Sequence, residues 1–257
     1  RNGPRNQPAA PVATYQGMLA TMSGSVSVIP ITNLMLALGP PVVVLAILHR
    51  WSAGSGTALH GIGRMVAQLA LVGYLLTFLF GTANSLVVLA TLTIMLGVAG
   101  WIALRPLATQ RRQHYPQALA SIASGGISTL AIITQGVLAA NPWHDATVMI
   151  PLGGMIFATS MNAVSLSAER LGAELTRGAS YDDARRIAIR AALIPQINTL
   201  FAVGIVSLPG MMTGQILSGV TPLIAVRYQI MVMCMLFGAA GLSAACFLVL
   251  QRRRWFA

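Results

Sequence analysis

The chain has 257 residues, of which 56% are hydrophobic and 8% charged. A water-soluble domain carries about a quarter charged residues, so this composition excludes an ordinary soluble fold and points to an integral membrane protein. Sixteen arginines stand against five acidic residues, with no lysine, for a net charge of +11. The arginines fall in loops between apolar runs, which fits orientation by the positive-inside rule rather than one continuous nucleic-acid-binding face.

Taken in order, residues 1–29 are rich in Pro, Ala, Ser and Gly and read as a flexible N-terminal arm. Residues 30–257 read as a single transmembrane domain. About twenty apolar residues suffice to cross a bilayer, and on that measure the chain predicts seven spans. The first runs from about Leu34 to Leu48, with a kink at Pro40 and Pro41. The second is about Ile62 to Phe80, the third Leu86 to Leu104, the fourth Ala118 to Leu138 and the fifth Thr147 to Leu166. The sixth begins near Pro195, and the seventh ends near Leu250. Arginines crowd the loops after spans one, three and five and the tail after span seven, and the other loops contain none. This asymmetry predicts an N-terminus outside and a C-terminus in the cytoplasm. The expected class is therefore all-α and polytopic.

The hydrophilic loop after span five predicts a short amphipathic helix. It follows a turn at Gly178, with Ser180 as N-cap and Asp182 and Asp183 in the first turn. Ala184, Ile187, Ala188, Ala191 and Ala192 form one apolar stripe, while Arg185, Arg186 and Arg190 lie off it. Asp182 is spaced to pair with Arg186. Such a helix either lies on the membrane surface or docks into another protein.

The most unusual stretch is Gly204 to Met233, GIVSLPGMMTGQILSGVTPLIAVRYQIMVM. Pro209, Pro222, Gly204, Gly210, Gly214 and Gly219 weaken its helix inside an apolar run. Broken backbone at membrane depth must be buried in protein or line a wet cavity. Pro209, Gly210, Met211, Met212 and Gly214, with Arg227 and Gln229, are the gate or translocation candidates here. Arg227 either snorkels to the headgroups or donates to the carbonyls freed in 209–219.

Other chemistry is weakly supported. Neither a zincin nor a serine-hydrolase motif occurs, and Cys234 and Cys246 are too far apart on one helix to pair. His144 beside Asp145 provides two ligands, too few for a metal site. Met155, Met161, Met211, Met212, Met231, Met233 and Met235 suggest a soft-metal path, but they share no single helix face and Met also packs generically. No metal ligand set is expected. Gly153, Gly154, Gly210 and Gly214 permit close helix approach, within the monomer or at a dimer seam.

Three stretches carry a family resemblance. MIPLGGM at Met149–Met155 is close to an IPIAGM run, GIVSLPGMMTG at Gly204–Gly214 to VGLVSLPGMMSG, and PLIAVRYQIMV at Pro222–Val232 to a Pro, basic residue and YQIMV pattern. RGAS at Arg177–Ser180 is similar to an LGAT turn. On these the chain resembles the permease subunits of bacterial Fet-type iron-export ABC transporters, to which plant aluminium-tolerance permeases are related. Where relatives have Gly-Asn after the IPIAGM run, this chain has Ala158 and Thr159, with Asn162 one turn later as a further translocation candidate.

The resemblance implies ATP-driven metal export, with iron as the cargo, by a homodimer in the inner membrane working with a soluble ABC ATPase. A P-loop needs a lysine, and these residues have none. ATP and magnesium are then expected on the partner, with no cofactor in this chain, no enzyme activity of its own and no nucleic acid. The amphipathic helix, with Gly178, Ser180, Arg186, Ile187 and Arg190, is the expected coupling helix. A permease for another substrate and a non-transporting scaffold are the alternatives.

Overall fold

The computed structural model describes residues 29–81 and 84–255. No strand forms among them, and nine α-helices follow one another. The N-terminal arm lies, but for its last residue, outside the described residues. Helices α1 (Ile31–Leu36) and α2 (Gly39–Arg50) make the first apolar span and part at Ala37 and Leu38. The expected kink at Pro40 and Pro41 is present, and its position has a simple cause. Both prolines sit in the first turn of α2, where an N–H has no helical partner to lose. A helix continuous from α1 would lose those bonds.

Helix α3 spans Ser55–Phe80 and α4 spans Ser85–Ala103. The Asn84 side chain caps α4 by accepting from Leu86 N at 2.9 Å. A tight 3-10 turn at Arg105–Gln110 leads into α5 (Arg111–Ala131), which ends in a π-helical turn at Ile132–Val137. Arg111 lies 3.9 Å from the centre of the Trp101 ring and donates from Nε to the Trp101 carbonyl at 2.7 Å. A cation stacked on an aromatic suits the end of a span at the headgroups.

Helix α6 runs from Ala146 to Thr176, α7 from Tyr181 to Ala202, α8 from Gly210 to Leu217 and α9 from Pro222 to Trp255. Asp145 caps α6: its Oδ1 accepts from Thr147 N at 2.9 Å and from Thr147 Oγ1 at 2.7 Å. Asp145 Oδ1 is thus engaged at the start of its own helix.

Among the described residues, six segments are long and apolar enough to cross a membrane: Ile31–Arg50, Ser55–Phe80, Ser85–Ala103, Arg111–Val137, Ala146–Thr176 and Pro222–Arg252. They correspond to six of the seven expected spans. The remaining one, expected from Pro195, is a broken element. Pro195 lies inside α7, which does not stop at Ala192 but continues to Ala202. There the chain turns sharply. The Ala202 carbonyl accepts from Val206 N at 2.8 Å and Ser207 N at 3.1 Å, and Gly204 adopts φ +83°. A side chain is strained at that φ, so glycine is the residue that permits this turn.

The chain divides into two units, Arg1–Tyr74 with Thr213–Ala225, and Leu75–Met212 with Val226–Ala257. In the first, helices α1 and α2 bury no residue. Such all-round apolar exposure suits lipid, which solvates these side chains as well as protein does. The second unit has the core. Val88, Ile122, Ile156, Val164, Met235 and Phe247 are fully buried there. Small residues let its helices meet closely. A Cβ on Gly125 of α5 would stand 2.4 Å from Ser243 Oγ and 2.7 Å from Ser243 N of α9. Ser160 Oγ of α6 donates to the Ala239 carbonyl of α9 at 3.3 Å. Gly153 and Gly154 pack within the chain, against Leu92 and Met95, whereas nothing approaches Gly210 or Gly214.

Candidate functional site

Two neighbourhoods hold the residues singled out in the sequence. The first is the junction of α6 and α7. Helix α6 ends at Gly178, φ +85°, where Ala179 N bonds to the Glu174 carbonyl at 3.1 Å and Gly178 N to the Leu175 carbonyl at 3.0 Å. This is a Schellman termination, which needs the left-handed residue that glycine supplies. Ser180 then caps α7 as expected, accepting from Asp183 N at 3.2 Å. The capping box is altered: Asp183 Oδ2 accepts from the Ser180 hydroxyl at 2.6 Å. That hydrogen bond, then Arg186, holds the Asp183 carboxyl below its ordinary value of 3.8. The stabilisation is present above pH 3.8 and is lost as the pH falls through the lower folded value.

The ion pairs differ from the expected one. Asp182 meets Arg185 at 3.2 Å and Arg252 at 3.8 Å, and Asp183 meets Arg186. On this helix the three-residue spacing brings charges together, so Asp182 does not pair with Arg186. Glu174, nearly buried, accepts from Arg170 at 2.7 Å and Arg177 at 3.2 Å.

The stripe is also rotated from its expected position. Tyr181, Ala184, Ala188 and Ala192 are buried, with Ala191 partly so. Tyr181, Ala184 and Ala188 pack with Leu171 of α6 and Leu248 of α9, and the Tyr181 hydroxyl donates to the Leu248 carbonyl. Burial holds that hydroxyl above its ordinary pKa, with Arg185 and Arg252 opposing, so it stays a donor at neutral pH. Ile187 is 37% exposed. It stands on the outer face with Asp183, Arg186 and Arg190, which are exposed too. The alanine stripe is consumed within the chain, and the face left to meet anything else carries Ile187 between arginines.

The second neighbourhood is the broken stretch. Met211 at the start of α8, Met155 and Thr147 of α6, and Tyr228 and Met231 of α9 line one cavity of about 370 Å³. Met212, Gly210, Gly214 and Asn162 do not line it; Gly210, Gly214 and Asn162 are exposed, and Pro209 and Met212 are half-buried. Gln229 is buried with no hydrogen-bond partner for Oε1. Arg227 is exposed, and no hydrogen bond joins it to a described residue. The carbonyl bridging considered for it is not formed here. Sequence reasoning singled out three of the methionines but not their meeting, nor Thr147 and Tyr228. The convergence is tertiary, drawn from three helices, and leaves no periodic signal in one segment. Met233 and Met235, by contrast, are core residues, 9% and 1% exposed.

Several known proteins are similar in sequence over most of the chain. UPF0014 membrane protein slr1647 of Synechocystis is 33% identical over 79% of this chain and 84% of its own. The probable iron export permease protein FetB of Escherichia coli is 34% identical over 86% of this chain and 92% of its own. The protein ALUMINUM SENSITIVE 3 of Arabidopsis thaliana is 29% identical over 79% and 80%. No solved structure matches. Residues 31–256 match the family described as "Uncharacterised protein family (UPF0014)". This multi-pass, all-α membrane protein belongs to the UPF0014 family and is similar to a probable bacterial iron export permease.

Proposed function

We propose that the chain is the membrane-spanning permease subunit of an ATP-driven ABC transporter that exports a metal cation, with iron as the cargo. The observation that carries this reading is the outer face of α7. Helix α7 is fixed to α6 and α9 through its alanine stripe and Tyr181. It still leaves Ile187, Arg186 and Arg190 turned outward in the chain's largest arginine-rich loop. An apolar side chain flanked by Arg186 and Arg190, with Asp183 paired to Arg186, on a helix held by its packed stripe is suited to dock into another protein. The ATP and magnesium belong to that partner, a soluble ATPase, which uses α7 as its coupling helix. Iron comes from the name of the FetB relative. ATP-dependent metal uptake by inverted vesicles carrying both subunits is the test of this function.

In this reading two copies form a homodimer in the inner membrane. The arginine-bearing loops and the C-terminus face the cytoplasm, and the N-terminus lies outside. Between the α6–α7 loop and the C-terminal arginines the chain must then cross twice. The broken stretch from Pro195 to Leu217 makes one crossing and α9 the other. Backbone that breaks at membrane depth needs protein or a wet cavity beside it. We therefore place the translocation element at Pro209, Gly210, Met211, Met212 and Gly214, with Gln229, Arg227 and Asn162 as further contributors.

Orientation is checked with single cysteines in a background lacking Cys234 and Cys246. Positions in Gly81–Asn84 and Asn141–Asp145 are expected to react with a membrane-impermeant thiol reagent from outside. Positions in Ser52–Gly56 are expected to react only after the membrane is opened. The reverse pattern would overturn the orientation.

A further inference from the structure

We propose that the cavity lined by Met155, Met211 and Met231 is a thioether site for a soft monovalent cation, Cu(I) or its redox-stable analogue Ag(I). Nothing in the family's names assigns it. The three sulfur-bearing side chains come from α6, the start of α8 and α9, and they line one space of about 370 Å³. All three are half-buried and pack against the main core, so their positions are held by the fold.

The donor chemistry selects the ion. No carboxylate, imidazole or thiol lines the cavity, and no cluster of three His, Cys, Asp or Glu exists among the described residues. A hard or doubly charged cation would gain no anionic ligand here on shedding its water, so it is not retained at this site. Uncharged, polarisable thioethers suit Cu(I) instead, and a single charge is far cheaper to desolvate than two. Two oxygen-bearing residues share the lining. Tyr228 lines the cavity, and its hydroxyl forms no hydrogen bond with a described residue. Thr147 and Pro151 line it as well, and Pro151 has no N–H to give the Thr147 carbonyl one turn earlier. Methionine as plain packing would explain any one of these side chains. It does not explain why three thioethers from three different helices line one cavity.

The site is tested by calorimetric titration of Ag(I) into the purified full-length protein in detergent, with Cys234→Ala and Cys246→Ala to remove competing thiols. One Ag(I) per chain is expected. Met155→Leu, Met211→Leu and Met231→Leu together are expected to weaken it at least tenfold, and each alone several-fold. Leucine nearly conserves methionine's volume, so the fold is retained. Met65→Leu, exposed on α3 and outside the cavity, is expected to bind as the parent does. Unchanged affinity and stoichiometry in the triple variant, or an equal loss in Met65→Leu, would overturn the site; should the triple variant aggregate, the three single variants decide by the same criteria. The readout is equilibrium binding, so it stands or falls separately from ATP-driven transport.

Discussion

Gly125→Ala is expected to be among the most damaging single-methyl changes in the chain. The added Cβ would lie 2.7 Å from Ser243 N and 3.1 Å from Ser243 Cα, as well as 2.4 Å from Ser243 Oγ. A hydroxyl can rotate away, but backbone atoms of a packed helix cannot, so α5 and α9 must separate. Ser160 bonds to the Ala239 carbonyl on the same helix, and Ala240 and Ala244 are fully buried, so this seam has no slack to absorb the shift. Overpacking of this kind costs about 1–3 kcal/mol, which for a chain of this size lowers the melting temperature by roughly 2–6 °C. Gly136→Ala is the control, because nothing lies within 4 Å of its Cβ position. Thermal unfolding of both variants in one detergent is the measurement. Equal melting temperatures would mean that α5 and α9 do not meet at Gly125.

In the transporter proposed above, Ile187→Asp is expected to weaken the partnership with a soluble ATPase strongly while leaving the permease folded. Ile187 is 37% exposed and belongs to neither core cluster packed on α7, so the substitution leaves the alanine stripe intact. On the docking face it replaces an apolar anchor with a charge that must be desolvated on binding. A loss of about 2 kcal/mol, typical of an interface anchor, weakens association roughly thirtyfold. Ala184→Asp makes the contrast: Ala184 is fully buried against α6 and α9, so that variant should fail to fold. The pair separates the outer face of α7 from its packed stripe. Co-purification of the ATPase with membrane-inserted Ile187→Asp at the parental ratio would show that this face lies against lipid or solvent.

Features set by local chemistry were readable from the sequence. Gly178 and Ser180 end one helix and start the next because a left-handed residue and an N-cap act within a few positions. Pro40 and Pro41 break the first span for the same reason. Six spans follow from hydropathy alone. What depends on the rest of the chain was less visible. Ile187 belongs to the apolar stripe by spacing, but the stripe is wider than the surface it meets. Tyr181 and Leu248 set which side turns inward. The pairing of Asp182 with Arg185 rather than Arg186 is a rotamer choice between two permitted spacings. No motif marks Gly125, and its importance arises only where α9 passes. The meeting of Met155, Met211 and Met231 likewise has no signature in any single segment.

ATP-driven export of a metal cation, as proposed for this chain, is tested most directly with inverted membrane vesicles that contain the chain together with a soluble ABC ATPase. Export from the cell then appears as uptake into the vesicle. Accumulation of Fe(II) is expected to require ATP and both proteins, and to fall strongly with Ile187→Asp. Fe(II) accumulation equal with and without ATP, or no accumulation of any metal cation when the ATPase is bound and hydrolysing, would contradict it.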